Sequence, residues 1–225
     1  MTLQFEQELV ELKEKLLTMA SHAERAVTQA VRAMVERDDE LAHQVKQDDS
    51  VIDQFEIEID DLSIQLLAKA PLASDLRLIT VAMKISHDLE RVGDEATTIA
   101  RRSLELSKEP QLKPYVDIPR MAETALAMLR DALDAFVNRN PAKARLVIPR
   151  DKQVDQLNKQ LSRELVTFMV EQQDRITRCL NLMVISKSLE RIADHATNIA
   201  EEVVYLYEAK DIRHTGKGEV ITGKS

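Results

Sequence analysis

Two stretches of the sequence carry a pair of acidic residues four positions apart. The first, ISHDLERVGDEATTIA, contains Glu90 and Asp94, and the second, ISKSLERIADHATNIA, contains Glu190 and Asp194 one hundred residues later. Ten of the sixteen positions are identical, including both acids of each pair. Residues four apart in an α-helix stand one turn apart on the same face, so two such carboxylates can face one hard or borderline cation. The spacing therefore indicates a carboxylate cation site in each half of the chain.

A second set of paired acids precedes each of these stretches. The segment DDSVIDQ contains Asp49 and Asp53, and the segment RDKQVDQ contains Asp151 and Asp155 at matching positions. These aspartates flank the apolar faces of their own helices. Each half thus has one acid-x-x-x-acid pair in its second predicted helix and another in its third.

The acid pairs of the third helices are expected on the outer faces of those helices. At 100° per residue, Ile85, Leu89 and Val92 fall on one apolar arc, which is typical of a helix that faces a core. Glu90 and Asp94 lie roughly 140–180° from that arc. The pattern therefore predicts that these carboxylates point out of the bundle, where they could assemble a cation site on its surface.

The neighbours of the acids leave two interpretations open. Arg91 and Arg191 follow the acids by one residue and are expected to project away from them, whereas Lys187 can pair with Glu190. His87 lies on the acid stripe and is a weaker ligand candidate. Highly charged helices also carry acid pairs as a solvated face. Recurrence in both halves favours a cation site, because like charges four apart destabilise a helix by about 0.2–0.5 kcal/mol.

The composition is that of a soluble helical protein. The 225 residues are 44% hydrophobic and 31% charged, with no Trp and only four Gly, so turns are few and helices are long. The net charge of −8 argues against nucleic-acid binding, which needs a basic surface. Cys179 is the only cysteine, which excludes a disulfide framework. We expect a cytoplasmic protein without direct membrane insertion, because the sequence has neither a leader nor a long apolar run.

Apolar periodicity and helix breakers predict six long helices. Asp38 or Asp39 is expected to cap the second helix, Ser74 the third, and Asn140 with Pro141 begins the fifth. Pro149 is expected to kink the fifth helix or restart it. The predicted helices run over residues 3–36, 39–70, 75–108, 117–138, 141–171 and 175–210. The predicted fold is all-α, with two tandem three-helix bundles related by a pseudo-twofold axis.

The repeat also predicts the domain organisation. The segment EPQLKP is the clearest linker, because two prolines interrupt an otherwise helical chain. We therefore assign residues 1–109 to the first bundle, 110–210 to the second and 211–225 to a flexible tail.

The paired motifs LERVGDEAT and LERIADHAT resemble the repeated signature of the PhoU family of phosphate-transport accessory and regulatory proteins. The stretch APLASDLRLITVAMKISHDLERVGD and the sequence RHTG near the end agree with that family, and the resemblance spans almost the whole chain. It implies two similar three-helix bundles and a homodimer. It also implies multinuclear iron or zinc clusters on the bundle surface, with Mg or Mn as alternatives. The implied ligands are Glu90, Asp94, Glu190, Asp194, Asp49, Asp53, Asp151 and Asp155.

The resemblance further implies a regulator without catalytic activity. Such a protein would link the ATPase of the phosphate ABC transporter to a membrane sensor histidine kinase and restrain the phosphate-starvation response. Its location would be cytoplasmic, with peripheral association at the inner membrane through protein partners left open.

Two other functions compete with this interpretation. A metal-independent helical adaptor would use the same acidic faces to dock onto basic surfaces of partners. A di-metal carboxylate enzyme is the weaker alternative, because such enzymes need two inward Glu-x-x-His motifs and only one occurs, Glu40 to His43. No Gly-rich phosphate loop is present to support nucleotide hydrolysis. His195 is expected on the surface and Cys179 in the core.

Overall fold

The computed structural model describes residues 3–69 and 72–212, which form a bundle of long helices. The helices and their bounds are α1 (Leu3–Glu36), α2 (Asp39–Leu67), α3 (Ala73–Leu106), α4 (Asp117–Val137), α5 (Pro141–Val147), α6 (Asp151–Glu171) and α7 (Ile176–Glu208). Short 3-10 turns join α5 to α6 and α6 to α7. The described part of the chain contains no strand, so the predicted all-α class is confirmed.

The seven helices form two similar halves. Helices α1, α2 and α3 pack together as the first half, and α4, α7 and the α5–α6 pair form the second. The pair α5–α6 corresponds to the predicted fifth helix. Pro149 lies in the 3-10 turn Ile148–Arg150 that separates them, because proline lacks the N–H that a continuous helix needs there. The predicted interruption at Pro149 is therefore confirmed.

Side-chain caps begin two of the helices as expected, and a third expected cap is wrong. Asp38 accepts a hydrogen bond from the Leu41 amide at 2.9 Å, and Asn140 accepts one from the Lys143 amide at 2.9 Å. Ser74 does not cap α3. The chain is extended at Leu72 and the helix begins at Ala73, so Ser74 already lies inside the first turn.

The linker and the tail agree only partly with what the structure describes. Residues 107–116 between α3 and α4 are not helical. Helix α2 ends at Leu67 rather than at residue 70, and residues 70–71 lie outside the described residues, as do residues 213–225 of the predicted tail. The division into residues 1–109 and 110–210 stays a prediction, because one continuous hydrophobic cluster includes side chains from both halves.

The two halves meet mainly where α3 packs against α7. The two helices run antiparallel, because residues of increasing number on α3 contact residues of decreasing number on α7. From one end to the other, the polar contacts are Lys84–Glu202 at 3.0 Å, Asp88–His195 at 2.8 Å, Glu95–Arg191 at 3.0 Å and Arg102–Asn181 at 3.4 Å. Asp88 and Glu202 are buried, so these contacts supply the partners that buried carboxylates require.

One glycine allows a close approach of α2 to α3. A Cβ atom added at Gly93 would lie 2.9 Å from Cδ1 of Ile52 and 3.2 Å from a carboxylate oxygen of Asp49. In the second half, Ala193 stands at the position of Gly93, and Val154 stands at the position of Ile52. Ala193 is larger than Gly93, and Val154 is smaller than Ile52 because valine lacks the Cδ1 methyl group that would clash. The second half therefore keeps the same close packing with a different pair of residues.

We predict that Gly93→Ala destabilises the protein by about 1 kcal/mol, because overpacking outweighs the gain in helix propensity. In the background of Ile52→Val, the same substitution is expected to be neutral or stabilising. Urea unfolding of the wild type, both single variants and the double variant measures this coupling. Equal effects of Gly93→Ala in both backgrounds would show that the Ile52 methyl group is not the obstacle.

Candidate functional site

The first acidic cluster lies where α2 packs beside α3. Asp49 and Asp53 of α2 share this surface with Asp94 of α3. The pKa of Asp49 is raised to about 6, chiefly because the carboxyl is partly withdrawn from water, and further by the negative charges of Asp53 and Asp94. The structure therefore brings the predicted second-helix and third-helix acids of this half together.

Glu90 completes this cluster from a less exposed position than predicted. Its side chain is only 16% exposed, whereas that of Asp94 is 47% exposed. The pKa of Glu90 is raised, first by burial and then by the charge of Asp94. The outward orientation predicted for Glu90 is wrong, because the helix turn that carries it faces α2 rather than open solvent.

Arg91 also behaves differently from the prediction. Its guanidinium lies 3.3 Å from the Glu90 carboxylate and 3.0 Å from the Asp94 carboxylate. The expectation that Arg91 projects away from these acids is wrong, because its long side chain folds back over the helix surface. The acid pair therefore has a cation beside it already.

A second group of possible ligands adjoins Glu90. One ligand atom each of Glu56, His87 and Glu90 lie within 4.8 Å of one another, and no other group of three acidic, His or Cys ligands this close occurs in residues 3–69 and 72–212. The Nδ1 atom of His87 lies 3.2 Å from a carboxylate oxygen of Glu56. An imidazole with two carboxylates suits a borderline cation such as zinc or iron(II).

The sequence pattern identifies only part of this group. Glu90 is among the eight predicted ligands and His87 is a weaker candidate, but Glu56 is not among them. The spacing between His87 and Glu90 is the available signal, because residues three apart share a helix face. No spacing identifies Glu56, because its proximity depends on how α2 packs against α3.

The second acidic cluster has the same four positions on α6 and α7. The pKa of Asp194 is raised to about 6 by desolvation and by the charges of Glu190 and Asp151. The pKa of Asp151 is raised by burial and then by Asp155 and Glu190. The four predicted acids of this half are therefore neighbours, as are their counterparts, but no three carboxylates within either set of four lie within 4.8 Å of one another.

Glu190 is the least available acid of the second cluster. Its side chain is 11% exposed and forms a salt bridge with Lys187, so its predicted outward orientation is wrong and the pairing anticipated for Lys187 is confirmed. Lys187 stands where the first half has His87, and Asn158 stands where it has Glu56. Because neither replacement is a carboxylate or an imidazole, the second half lacks the three-ligand group found in the first.

Arg191 and His195 connect the second cluster to the first half. Arg191 forms a salt bridge with Glu95 of α3 at 3.0 Å. Its side chain is therefore directed toward the first half rather than toward Glu190, as predicted. His195 lies 2.8 Å from Asp88, and the Asn198 amide donates to the same carboxylate at 3.1 Å. His195 is therefore less exposed than expected, with 21% of its side chain accessible, because the antiparallel packing of the two helices partly covers its ring.

The residues considered for enzymatic activity are not arranged for it. Glu40 and His43 are exposed on α2 and do not face the helix interior that a di-metal carboxylate site requires. Cys179 is buried, as predicted, and burial raises the pKa of its thiol, which opposes formation of the reactive thiolate.

Comparison with known proteins agrees with the duplicated architecture. The PhoU domain model matches residues 16–103 and again residues 118–203. The chain is 44% identical over 215 residues to a phosphate-specific transport system accessory protein PhoU homolog of Pseudomonas putida, covering 95% of this chain and 84% of that protein. It is 34% identical over 218 residues to the accessory protein PhoU of Escherichia coli, covering 96% and 90% of the two chains.

Solved structures resemble the whole fold. The crystal structure of PhoU from Pseudomonas aeruginosa superposes with a TM-score of 0.89 at 42% identity, covering 92% of this chain and 100% of that chain. The phosphate transport system regulatory protein PhoU from Streptococcus pneumoniae superposes with a TM-score of 0.85 at 31% identity, covering 92% and 99%.

The fold and its two acidic clusters define a class of duplicated three-helix-bundle proteins. The chain belongs to the PhoU family. No helix within the described residues has the length and apolar content needed to cross a membrane.

We predict that Asp49→Asn and Asp194→Asn stabilise the metal-free protein above pH 6. A carboxyl whose pKa is raised to about 6 by folding, from about 4 when unfolded, binds its proton more tightly in the folded state. Its stabilising contribution is therefore lost as pH rises from 4 to 6. Each amide variant should gain about 1 kcal/mol at pH 7.5, allowing for solvent screening, and nothing at pH 4.

Urea unfolding at several pH values in the presence of a chelator measures this difference. Asp61→Asn is the matched control, since Asp61 is exposed on α2. A gain that did not depend on pH, or an equal gain for Asp61→Asn, would contradict the electrostatic explanation.

Proposed function

We propose that this protein is an accessory regulator of phosphate transport that acts without catalysis. The observation that carries the proposal is the pair of PhoU domain matches, over residues 16–103 and 118–203, together with a relative that is named for phosphate transport and is 44% identical. The poor fit of Glu40, His43 and Cys179 to enzymatic sites favours a scaffold over an enzyme.

We propose two protein partners, the ATPase of the phosphate ABC transporter and a membrane sensor histidine kinase. The protein would hold them in a signalling-off arrangement when phosphate is abundant, working in the cytoplasm and reaching the inner membrane through these partners. The net charge of −8 supports docking onto basic partner surfaces. The exposed carboxylate of Asp94 and its counterpart Asp194 lie on the surfaces that such partners could reach.

We also propose that the acidic clusters bind metal ions. Four predicted acids are neighbours in each half, and ionisation of Asp49 and Asp194 is opposed by neighbouring negative charge. A cation relieves that repulsion, which is the expected electrostatic behaviour of a metal site. Iron or zinc suits the first half best, because His87 and Glu56 add an imidazole and a fifth carboxylate beside Glu90. Mg or Mn would suit carboxylates alone.

The two halves should differ in their affinity for zinc. We expect His87→Gln to weaken the tighter zinc site by about tenfold or more, because it removes one ligand of a three-ligand group. Isothermal titration of zinc into metal-free protein, with the unfolding temperature followed in parallel, measures this effect. His43→Gln is the matched control, since His43 is exposed on the same bundle. Metal-independent unfolding temperatures, or equal affinities for both variants, would contradict the metal proposal.

A metal-independent adaptor is the second candidate. Arg91 lies within 3.3 Å of both acids of its own pair, and Lys187 forms a salt bridge with Glu190. These internal cations already offset part of the negative charge, so the clusters could be stable without a metal and serve as recognition surfaces. This candidate predicts that partner binding survives a chelator but fails when Asp94 and Asp194 are replaced by Lys.

A homodimer is proposed from an apolar stripe on the first half. Exposed apolar residues recur every seven positions on two neighbouring helices. They are Leu3, Val10 and Leu17 on α1, and Ile57 and Ile64 on α2. The salt bridges Lys15–Glu58, at 2.8 Å, and Lys69–Glu8 show that α1 and α2 run antiparallel, which places the two rows side by side. Such rows are typical of helix–helix association, and the mass of the protein in solution decides the question.

Deletion of the gene should raise phosphate-starvation gene expression in cells grown with abundant phosphate. The same chain, expressed in Escherichia coli that lacks its own PhoU, should restore repression of a starvation reporter gene. Repression lost with Asp94→Lys but retained with Asp61→Lys would connect the acidic surface to signalling. Unchanged reporter activity after deletion would refute the regulatory proposal and leave the fold assignment intact.

A further inference from the structure

A third group of charged residues lies far from the acidic clusters, in a cleft where the two halves meet. The cleft has a volume of about 310 Å³ and is built from α1, the first turn of α3, the α4–α5 connection and the end of α7. Its lining residues are Lys13, Ser74, Asp75, Arg77, Leu78, Arg139, Leu206 and Tyr207. Three cations therefore face a single carboxylate.

The cations of this cleft have no partners in the described part of the chain. The side chains of Lys13, Arg77 and Arg139 form neither a salt bridge nor a hydrogen bond within residues 3–69 and 72–212, and Nε of Arg77 is buried without an acceptor. One carboxylate oxygen of Asp75 is also buried and unpartnered. Arg77 and Lys13 are partly buried, whereas Arg139 is exposed at the mouth of the cleft. A buried guanidinium N–H needs an acceptor, and an anion bound in the cleft would supply one to Arg77.

Electrostatic repulsion between the cations of the cleft favours the binding of an anion. Burial lowers the pKa of Lys13, and the positive charge of Arg139 lowers it further, while Asp75 offsets only part of this effect. The lining carries three positive charges and one negative charge. Its net charge matches a doubly charged anion.

The pseudo-symmetric position in the other half shows what such an arginine does when acceptors are available. Arg37 follows α1 as Arg139 follows α4, and both have left-handed backbones, with φ of 58° and 52°. The guanidinium of Arg37 donates to the carbonyl oxygens of Ser107 and Glu109 in the linker, each at 2.7 Å. Arg139 has no equivalent acceptor among the described residues, and it shares its cleft with Lys13 and Arg77 instead.

We propose that this cleft binds a tetrahedral oxyanion, either inorganic phosphate or the phosphoryl group of a larger molecule, through Lys13, Arg77 and Arg139. Guanidinium groups present paired N–H donors that match two oxygens of a phosphate, and lysine adds a point charge. A dianion would neutralise the net charge of the lining. The Tyr207 hydroxyl does not serve as a donor to the anion, because it already donates to the Phe136 carbonyl at 2.9 Å. The inference concerns binding by the isolated protein and does not depend on the proposed regulatory function.

Isothermal titration of inorganic phosphate into the full chain at low ionic strength tests the proposal. We expect saturable binding of one phosphate per chain, competition by sulfate and none by chloride. Arg77→Gln and Arg139→Gln should each weaken binding by at least about tenfold. Arg120→Gln is the matched control, because Arg120 is exposed near the opposite end of α4, and it should bind as the wild type does.

Three further measurements make the outcome decisive. Lys13→Gln should raise the unfolding temperature without phosphate and reduce the rise that phosphate produces, which separates lost binding from lost folding. Phosphoserine and ATP distinguish the two sources, since tighter binding of a phosphate ester identifies a larger ligand and tighter binding of the free ion identifies phosphate. A chain ending at Ile212 tests whether the C-terminal residues occupy the cleft. Phosphate binding only by that shortened chain, absence of saturable binding, or equal binding by Arg77→Gln and Arg120→Gln would overturn the proposal.

Discussion

The antiparallel packing of α3 against α7 is the contact on which the rest of the molecule depends. It joins the two halves about a pseudo-twofold axis and buries Asp88 and Glu202, which then require His195, Asn198 and Lys84 as partners. Each of these helices also contributes two acids to an acidic cluster and packs against the second helix of its own half. The contact between α3 and α7 therefore fixes the relative positions of both clusters and forms the clefts between the halves.

Duplication has left the two halves similar in backbone and different in chemistry. The contact between the second and third helices is formed by Gly93 and Ile52 in the first half and by Ala193 and Val154 in the second. Each small residue faces a side chain of matching size, so the packing is maintained. The surface positions are less constrained. Glu56 and His87 correspond to Asn158 and Lys187, which changes a group of possible metal ligands into a neutral amide and a salt-bridged lysine. The proposed metal sites of the two halves therefore differ in the ligands that they offer.

Charge is likewise distributed unevenly between the surfaces. The acidic clusters hold carboxylates whose ionisation is opposed by their neighbours. The cleft holds the cations Lys13, Arg77 and Arg139, which contact no acceptor among the residues that the structure describes. Both arrangements are less stable alone than with a ligand of opposite charge. The proposed metal sites and the proposed oxyanion site all adjoin helix α3 or α7, the two helices that join the halves.

The sequence by itself determined the helices, their duplication and the four acid pairs, because apolar periodicity, prolines and caps act over a few residues. Asn140 and Pro149 behave as their local chemistry predicts. The tertiary structure alone decided which side chains meet. Glu56 joins His87 and Glu90, His195 becomes covered by Asp88, and Arg139 lies beside Lys13, although these residues are distant in sequence. Helical spacing gives the direction of a side chain relative to its own axis, but burial and pairing depend on the neighbouring helix, and only packing fixes that neighbour.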